Sequence, residues 1–243
     1  MMLPTIVLIP GNMCDHRLWD GADGFLRSAL RRKRLAIHDA DTTRDASISA
    51  MAARALADSQ GALVPVGFSM GAIVALEMAR QAPERITGLA LSGLNAGADL
   101  PERSQMRIRQ QAQVRGGDLE RVIVEELKPN YLAACNRGDV LLLVLLRDMG
   151  LALGSDVFVA QSEALRLRDD LRPVLGSLSV PVLLGCGEED ALCPPAWHRD
   201  WAARAPQAQL QIFAHSGHML PLEQPRAFAN ALLHWIEQQE LDR

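Results

Sequence analysis

Leu63-Val64-Pro65-Val66-Gly67-Phe68-Ser69-Met70-Gly71-Ala72-Ile73-Val74-Ala75-Leu76-Glu77-Met78-Ala79 is the stretch that decides the fold. An apolar run of strand type passes straight into Gly-x-Ser-x-Gly, and a pattern of helical period follows with no spacer. So tight a turn forces the serine into strained dihedrals, and glycines on either side keep side chains from colliding with strand and helix. Ser69 Oγ is therefore expected above a sheet, at a helix N-terminus where the dipole favours developing negative charge. Without such flanks the motif is an ordinary strand-to-helix turn. With them, Ser69 reads as a nucleophile framed by Gly67 and Gly71.

Working outward, short runs rich in Val, Ile and Leu recur at 5–9, 34–38, 63–67, 88–92, 182–186 and 210–214. Helical patterns lie between them at 21–30, 47–59, 70–81, 196–205 and 226–240. This alternation implies an α/β fold: a doubly wound sheet of about six strands, mostly or wholly parallel, with helices on both faces. It breaks once. Residues 95–180 hold helical patterns at 102–114, 119–127, 140–151 and 157–166, interrupted by Gly116-Gly117, Pro129 and Gly154. The expected organisation is a core of 1–94 and 181–243 with 95–180 inserted as a helical cap.

A serine hydroxyl is a poor nucleophile at neutral pH, so a base must lie within hydrogen-bond reach and a third group must orient it. After the fifth strand comes Gly185-Cys186-Gly187-Glu188-Glu189-Asp190, and after the sixth Ala214-His215-Ser216-Gly217-His218-Met219-Leu220-Pro221-Leu222-Glu223-Gln224-Pro225. The order Ser69, Asp190, His218 is the order nucleophile, acid, base of one known triad arrangement. His215 competes as base. Glu188, Glu189 and Asp99 compete as acid.

These three motifs in this order resemble the α/β-hydrolase superfamily, in particular its small esterases, lactonases and C–C hydrolases. The resemblance covers essentially the whole chain and is weakest over 95–180. It implies that His218, in a Gly-His-Met loop followed by Leu222-Glu223-Gln224-Pro225, is the base, and that Asp190 is the acid. An oxyanion hole is also required. One donor is expected to be the Met70 N–H, which follows the nucleophile. By resemblance the second is the Asn12 N–H in Pro10-Gly11-Asn12-Met13-Cys14-Asp15-His16-Arg17-Leu18-Trp19, with Met13 as the alternate. Pro10 stands where relatives usually carry a His that braces this loop, so the loop is expected to be held differently. The hairpin that often opens the family core is missing, which points to a minimal six-stranded sheet.

The implied activity is a serine hydrolase that cleaves a carboxylic ester of a small, mainly apolar substrate through an acyl-enzyme. C–C bond hydrolysis, lactonase and cofactor-free lyase or perhydrolase chemistry use the same residues. A catalytically weak small-molecule receptor is the reading from another class. Serine rather than aspartate at the turn speaks against dehalogenase and epoxide hydrolase chemistry. On the cap, Leu141 to Leu146, Met149, Leu151 and Phe158 offer an apolar pocket lining. Arg103, Arg107, Arg109 and Arg115 offer either a clamp for a substrate carboxylate or a solvated helix face, and Ile108 and Val114 favour the solvated face by giving the segment an apolar side to bury.

Composition sets the outer limits. The 243 residues are 49% hydrophobic and 22% charged, with 25 Lys+Arg against 29 Asp+Glu, as in a soluble globular protein. A net charge of −4 with 4% aromatics lacks the footprint of a nucleic-acid binder. The longest aliphatic run, Val140 to Leu146, is 7 residues, far short of the roughly 20 that span a membrane. Cys14, Cys135, Cys186 and Cys193 form no CxxC pair, so free thiols are expected. His16, His38, His198 and His234 have no metal-site spacing, and the mechanism needs neither metal nor cofactor. No leader is read at the N-terminus, and a cytoplasmic monomer or homodimer is expected.

Overall fold

Thr5–Ile9 (β1), Ala36–Asp39 (β2), Leu63–Phe68 (β3), Leu89–Ser92 (β4), Val182–Gly187 (β5) and Ala208–Phe213 (β6) pair into one sheet in the order β2-β1-β3-β4-β5-β6. Every pairing is parallel. The computed structural model describes residues 3–20, 24–127, 131–239 and 241. The start of the helix expected at 21, the interruption at Pro129 and the helix end expected at Glu240 lie outside the described residues.

The helices follow as α1 (Arg17–Asp20), α2 (Phe25–Arg32), α3 (Ile48–Ala57), α4 (Met70–Gln81), α5 (Pro101–Arg115), α6 (Leu119–Arg121, running on as a π-helical stretch over Val122–Leu127), α7 (Val140–Arg166), α8 (Arg172–Ser177), α9 (Pro195–Arg204), α10 (Leu220–Glu223) and α11 (Pro225–Gln238). In α3, Ser47 caps the N-terminus by accepting from Ala50 N at 3.1 Å, and Ile48, Met51, Ala52, Ala55 and Leu56 are buried along one stripe. Alternate residues of β1 feed opposite faces. Ile6 and Leu8 join the cluster with Leu30, Leu232 and Trp235 of α2 and α11. Val7 and Ile9 join Met51, Leu76, Leu175 and Trp201 of α3, α4, α8 and α9. The central strands β3, β4 and β5 are buried at every position, whereas the edge strand β6 alternates.

From β1 the chain steps outward to β2, then returns to the other side of β1 as β3 and continues in that direction. The reversal lies between β1 and β3. In open parallel sheets the crevice at such a point, beyond the strand C-termini, is where ligands bind. Here it is flanked by the loop that begins at Pro10 and by the turn at Ser69.

The chain between β4 and β5 carries α5 to α8. Val114, Leu119, Val122, Ile123 and Phe158 bury one another and take in Met13 from the loop after β1. By contrast, α8 packs in the helix layer on the sheet, with Leu171, Leu175 and Leu178 in the cluster around α4. The preceding α7 reaches the sheet-face clusters as well, through Leu146 and Met149 on one side and Ala164 and Leu165 on the other. Gly154 breaks α7 with φ 85° and ψ 175°, a combination open only to glycine. The two helices expected at 140–151 and 157–166 are the arms of this kinked element. Among the described residues no helix is long and apolar enough to cross a membrane. The four cysteines are unpaired, with Cys135 exposed and Cys14, Cys186 and Cys193 buried.

A Cβ on Gly154 would meet nothing within 4 Å, so Gly154→Ala tests backbone strain alone. It is expected to cost roughly 1–3 kcal/mol, read as a lower urea midpoint with an unchanged slope.

Candidate active site

The end of β3 and the start of α4 nearly touch. A Cβ on Gly67 would come 2.3 Å from Gly71 O, and one on Gly71 would come 2.0 Å from Ile9 O. Any larger residue at either place must push strand and helix apart. Between them Ser69 takes φ 53° and ψ −113°, a conformation that L-residues rarely adopt. Ser69 N donates to Ser92 O on β4 at 2.8 Å, and Ser69 O accepts from Ala72 N and Ile73 N of α4. These bonds hold the strained residue in place.

The loops after β5 and β6 meet Ser69 from the other side. His218 Nε2 lies 2.9 Å from Ser69 Oγ, and His218 Nδ1 lies 2.8 Å from Asp190 Oδ2. A carboxylate only accepts, so Nδ1 carries the proton and Nε2 is left to accept from the serine hydroxyl. Asp190 Oδ1 accepts from Leu192 N at 2.9 Å and Cys193 N at 2.8 Å. Burial by itself raises the Asp190 carboxyl, but His218 and these two N–H groups outweigh it and hold the group below its usual value. The two loops are brought together by glycines. A Cβ on Gly187 would stand 2.1 Å from Gly217 O, and one on Gly217 would stand 2.6 Å from Ala133 N.

The competing residues sit elsewhere. His215 is an exposed turn residue with φ 57°, and its carbonyl accepts from Asn136 and Gln224. Glu188 and Glu189 are exposed, and Glu189 accepts from Ala134 N. Asp99 is buried between Arg107 and Arg168. His16 is exposed and lines a different depression. Cys14 and Cys193 do line the pocket with Ser69. Burial pushes the Cys14 thiol up to about 12, with Asp15 adding to it, and pushes Cys193 well above its ordinary value. Neither is a thiolate nucleophile at neutral pH. Ligating atoms of Asp190, Cys193 and His218 fall within 4.8 Å of one another, and the first and last are hydrogen-bonded to each other.

In the loop after β1, the expected oxyanion donor Asn12 and its alternate Met13 are placed differently. Met13, with φ 54°, gives its N–H to Gln161 Oε1 at 2.8 Å. Asn12 N and Met70 N have no acceptor among the described residues. Gln161 is fully buried on α7 and also donates to Thr42 O at 3.1 Å. It braces the loop that Pro10 opens. A second brace is Glu223, whose carboxylate accepts from Gly217 N at 2.8 Å, Ala133 N at 2.7 Å and Asn136 Nδ2 at 2.9 Å. Burial raises this carboxyl above its ordinary value despite those bonds. Tyr131 adds a third, its carbonyl accepting from His218 N at 2.7 Å. Gln161 and Tyr131 carry no motif. Glu223 lies in the Leu-Glu-Gln-Pro run but has no local sign of its partners.

The pocket wall differs from the expected one. Met106, Leu127, Tyr131 and Leu165 line it, with Arg103, Arg107 and Arg168. Leu141 is 81% exposed, Leu146 and Met149 are buried with Cys14 and Met219, and Phe158 packs on Met13 and Ile123. On α5, Ile108 is 53% exposed instead of buried, because Gln110 and Gln111 turn inward to bond Glu126, Ser162 and Glu163. That rotation sets Arg103 and Arg107 on the pocket side and leaves Arg109 and Arg115 exposed.

A sequence profile of the Alpha/beta hydrolase family matches residues 6–231, and the chain belongs to that family. It is 27% identical over 250 residues to the pimeloyl-(acyl-carrier protein) methyl ester esterase of Nitrosomonas europaea, covering 93% of each chain. It is 25% identical over 246 residues to the biotin biosynthesis bifunctional protein BioHC of Cellvibrio japonicus; the match covers 98% of this chain and 48% of that one, so the chain spans about half of that relative's length. Among solved structures, a thermophilic esterase from Thermogutta terrifontis, malate bound, is similar with a TM-score of 0.88 at 27% identity, over 98% of this chain and 91% of that one.

Gln161→Leu removes the partner of a buried N–H and a buried carbonyl. It is expected to lower stability by roughly 1–3 kcal/mol and to slow labelling of Ser69 by a fluorophosphonate about tenfold, because the neighbouring donors lose their fixed place. Denaturant melts and labelling time courses on both proteins read the two effects.

Proposed function

We propose that the protein is a serine esterase that cleaves small carboxylic esters, with Ser69 as nucleophile, His218 as general base and acid, and Asp190 as its orienting acid. The observation that carries this reading is the unbroken hydrogen-bonded line from Ser69 Oγ through His218 to Asp190, at the turn between β3 and α4. Relatives named as esterases support the bond type.

Ser69 attacks the ester carbonyl while Nε2 takes its proton. Negative charge then develops on the former carbonyl oxygen, and the N–H groups of Asn12 and Met70 are the donors assigned to it. The His218 imidazolium is stabilised by the ionised Asp190 and returns its proton to the leaving alcohol. Water repeats the sequence on the acyl-enzyme and releases the acid. The chain's own side chains suffice for every proton and electron pair moved. The inserted helices of 95–180 serve as a cap over the pocket.

Hydrolysis of p-nitrophenyl esters of two to twelve carbons is the direct test. Wild type is expected to turn over the shorter members. Ser69→Ala is expected to lose roughly a thousandfold or more in kcat, and Asp190→Asn about as much, since it leaves His218 without its orienting acceptor. Full activity in Ser69→Ala would remove the nucleophile assignment. Rapid fluorophosphonate labelling without turnover of any ester would move the reading to another bond type on the same residues.

A further inference from the structure

Among the described residues three cations line the pocket that contains Ser69, and their charge is not balanced by the described acids that line it. Arg107 Nε and Arg168 Nη1 take the two oxygens of Asp99 at 3.0 and 2.7 Å. Arg168 further donates to Gly97 O at 2.9 Å and Leu165 O at 2.7 Å, and its side chain is 2% exposed. Two guanidinium groups on one carboxylate leave one positive charge fixed in the wall. Glu126, also at the wall, accepts from Gln110 and lies 3.5 Å from Arg121, so its charge is already shared with a cation outside the pocket lining.

Arg103 differs from the other two. Its partners are neutral: Nη2 donates to Leu192 O at 3.0 Å, and the guanidinium sits 5.8 Å from the centre of the Trp197 ring. Leu192 is the residue whose N–H supports Asp190, so Arg103 is tied to the acid loop itself. The carbonyl and the ring hold the planar fork in one orientation, while among the described residues none of its donors has an anionic partner. A guanidinium presented this way matches a carboxylate through two parallel hydrogen bonds, and the positive surplus behind it favours an anion in the pocket.

We propose that the substrate is an ester that carries a second, free carboxylate, received by Arg103 with the Arg107–Asp99–Arg168 group as its fixed positive backing. This rests on the esterase reading for the reaction but not for the binding. The carboxylate can belong to the acyl half or to the alcohol half of the ester.

Two substrate pairs separate those sources: mono-p-nitrophenyl glutarate against its methyl ester, and the butyrate ester of 4-hydroxybutyrate against that of 4-hydroxybutyramide. In one pair the acid is expected to exceed its neutral twin about tenfold or more in kcat/KM, the size of one charged hydrogen-bonded contact. Arg103→Gln should bring that ratio close to one, mainly through KM, and Arg103→Lys should restore part of it. Neutral or reversed preference in both pairs overturns the proposal, and so does a preference that survives Arg103→Gln. Calorimetric titration of Ser69→Ala with glutarate, 4-hydroxybutyrate and their amides reads the subsite without turnover. At least tenfold tighter binding of one acid than of its amide supports it even if no ester is cleaved, and equal affinities overturn it.

Discussion

The whole arrangement hangs on a contact too close for a side chain: Gly71 against the carbonyl of Ile9, with Gly67 against Gly71. It joins β1, β3 and α4 at one point, and Ser69 sits on top of that point at positive φ. The strain there is held by the hydrogen bond to Ser92 and by the first bonds of α4. Because β1 ends at the same place, the loop from Pro10 to Cys14 lies beside the serine. The reversal of strand order between β1 and β3 opens the space in which both can face a ligand.

The elements around this point are tied to one another by buried polar groups as well as by apolar contact. Gln161 reaches from α7 to the loop after β1 and to Thr42. Glu223 and Tyr131 join the loop of His218 to the inserted segment. Each tie ends on a buried backbone N–H or carbonyl, which is costly to leave without a partner. The insertion is thus coupled to the site by directional bonds, and a shift of α7 is felt at Asn12 and Met13.

Much of the fold could be read along the chain. The buried strands β1, β3, β4 and β5 start within a residue of where their aliphatic runs begin, since full burial demands unbroken apolar residues. The edge strands were less legible: β6 starts two residues ahead of its expected start, because alternation with Gln209 and Gln211 hides it, and β2 starts two residues late. That Ser69, Asp190 and His218 meet is legible in their order and their loops. The roles of Gln161 and Arg168 are not, because each acts across a separation of 69 or more residues and leaves no local pattern. The pocket side of α5 is not legible, for a related reason. Periodicity marked Ile108 as buried, yet the helix turns Gln110 and Gln111 inward to meet Glu126 and Glu163.

One of the four thiols has a practical consequence. Cys135 is the exposed one, in the short segment whose backbone and side chains meet Glu223 and His215. The buried Cys14 and Cys186 are held protonated, up to about 12, and Cys193 higher than its ordinary value. A maleimide fluorophore added to the native chain will therefore attach at Cys135 with little competition. It would provide an optical reporter beside the histidine loop, obtained without altering a single residue.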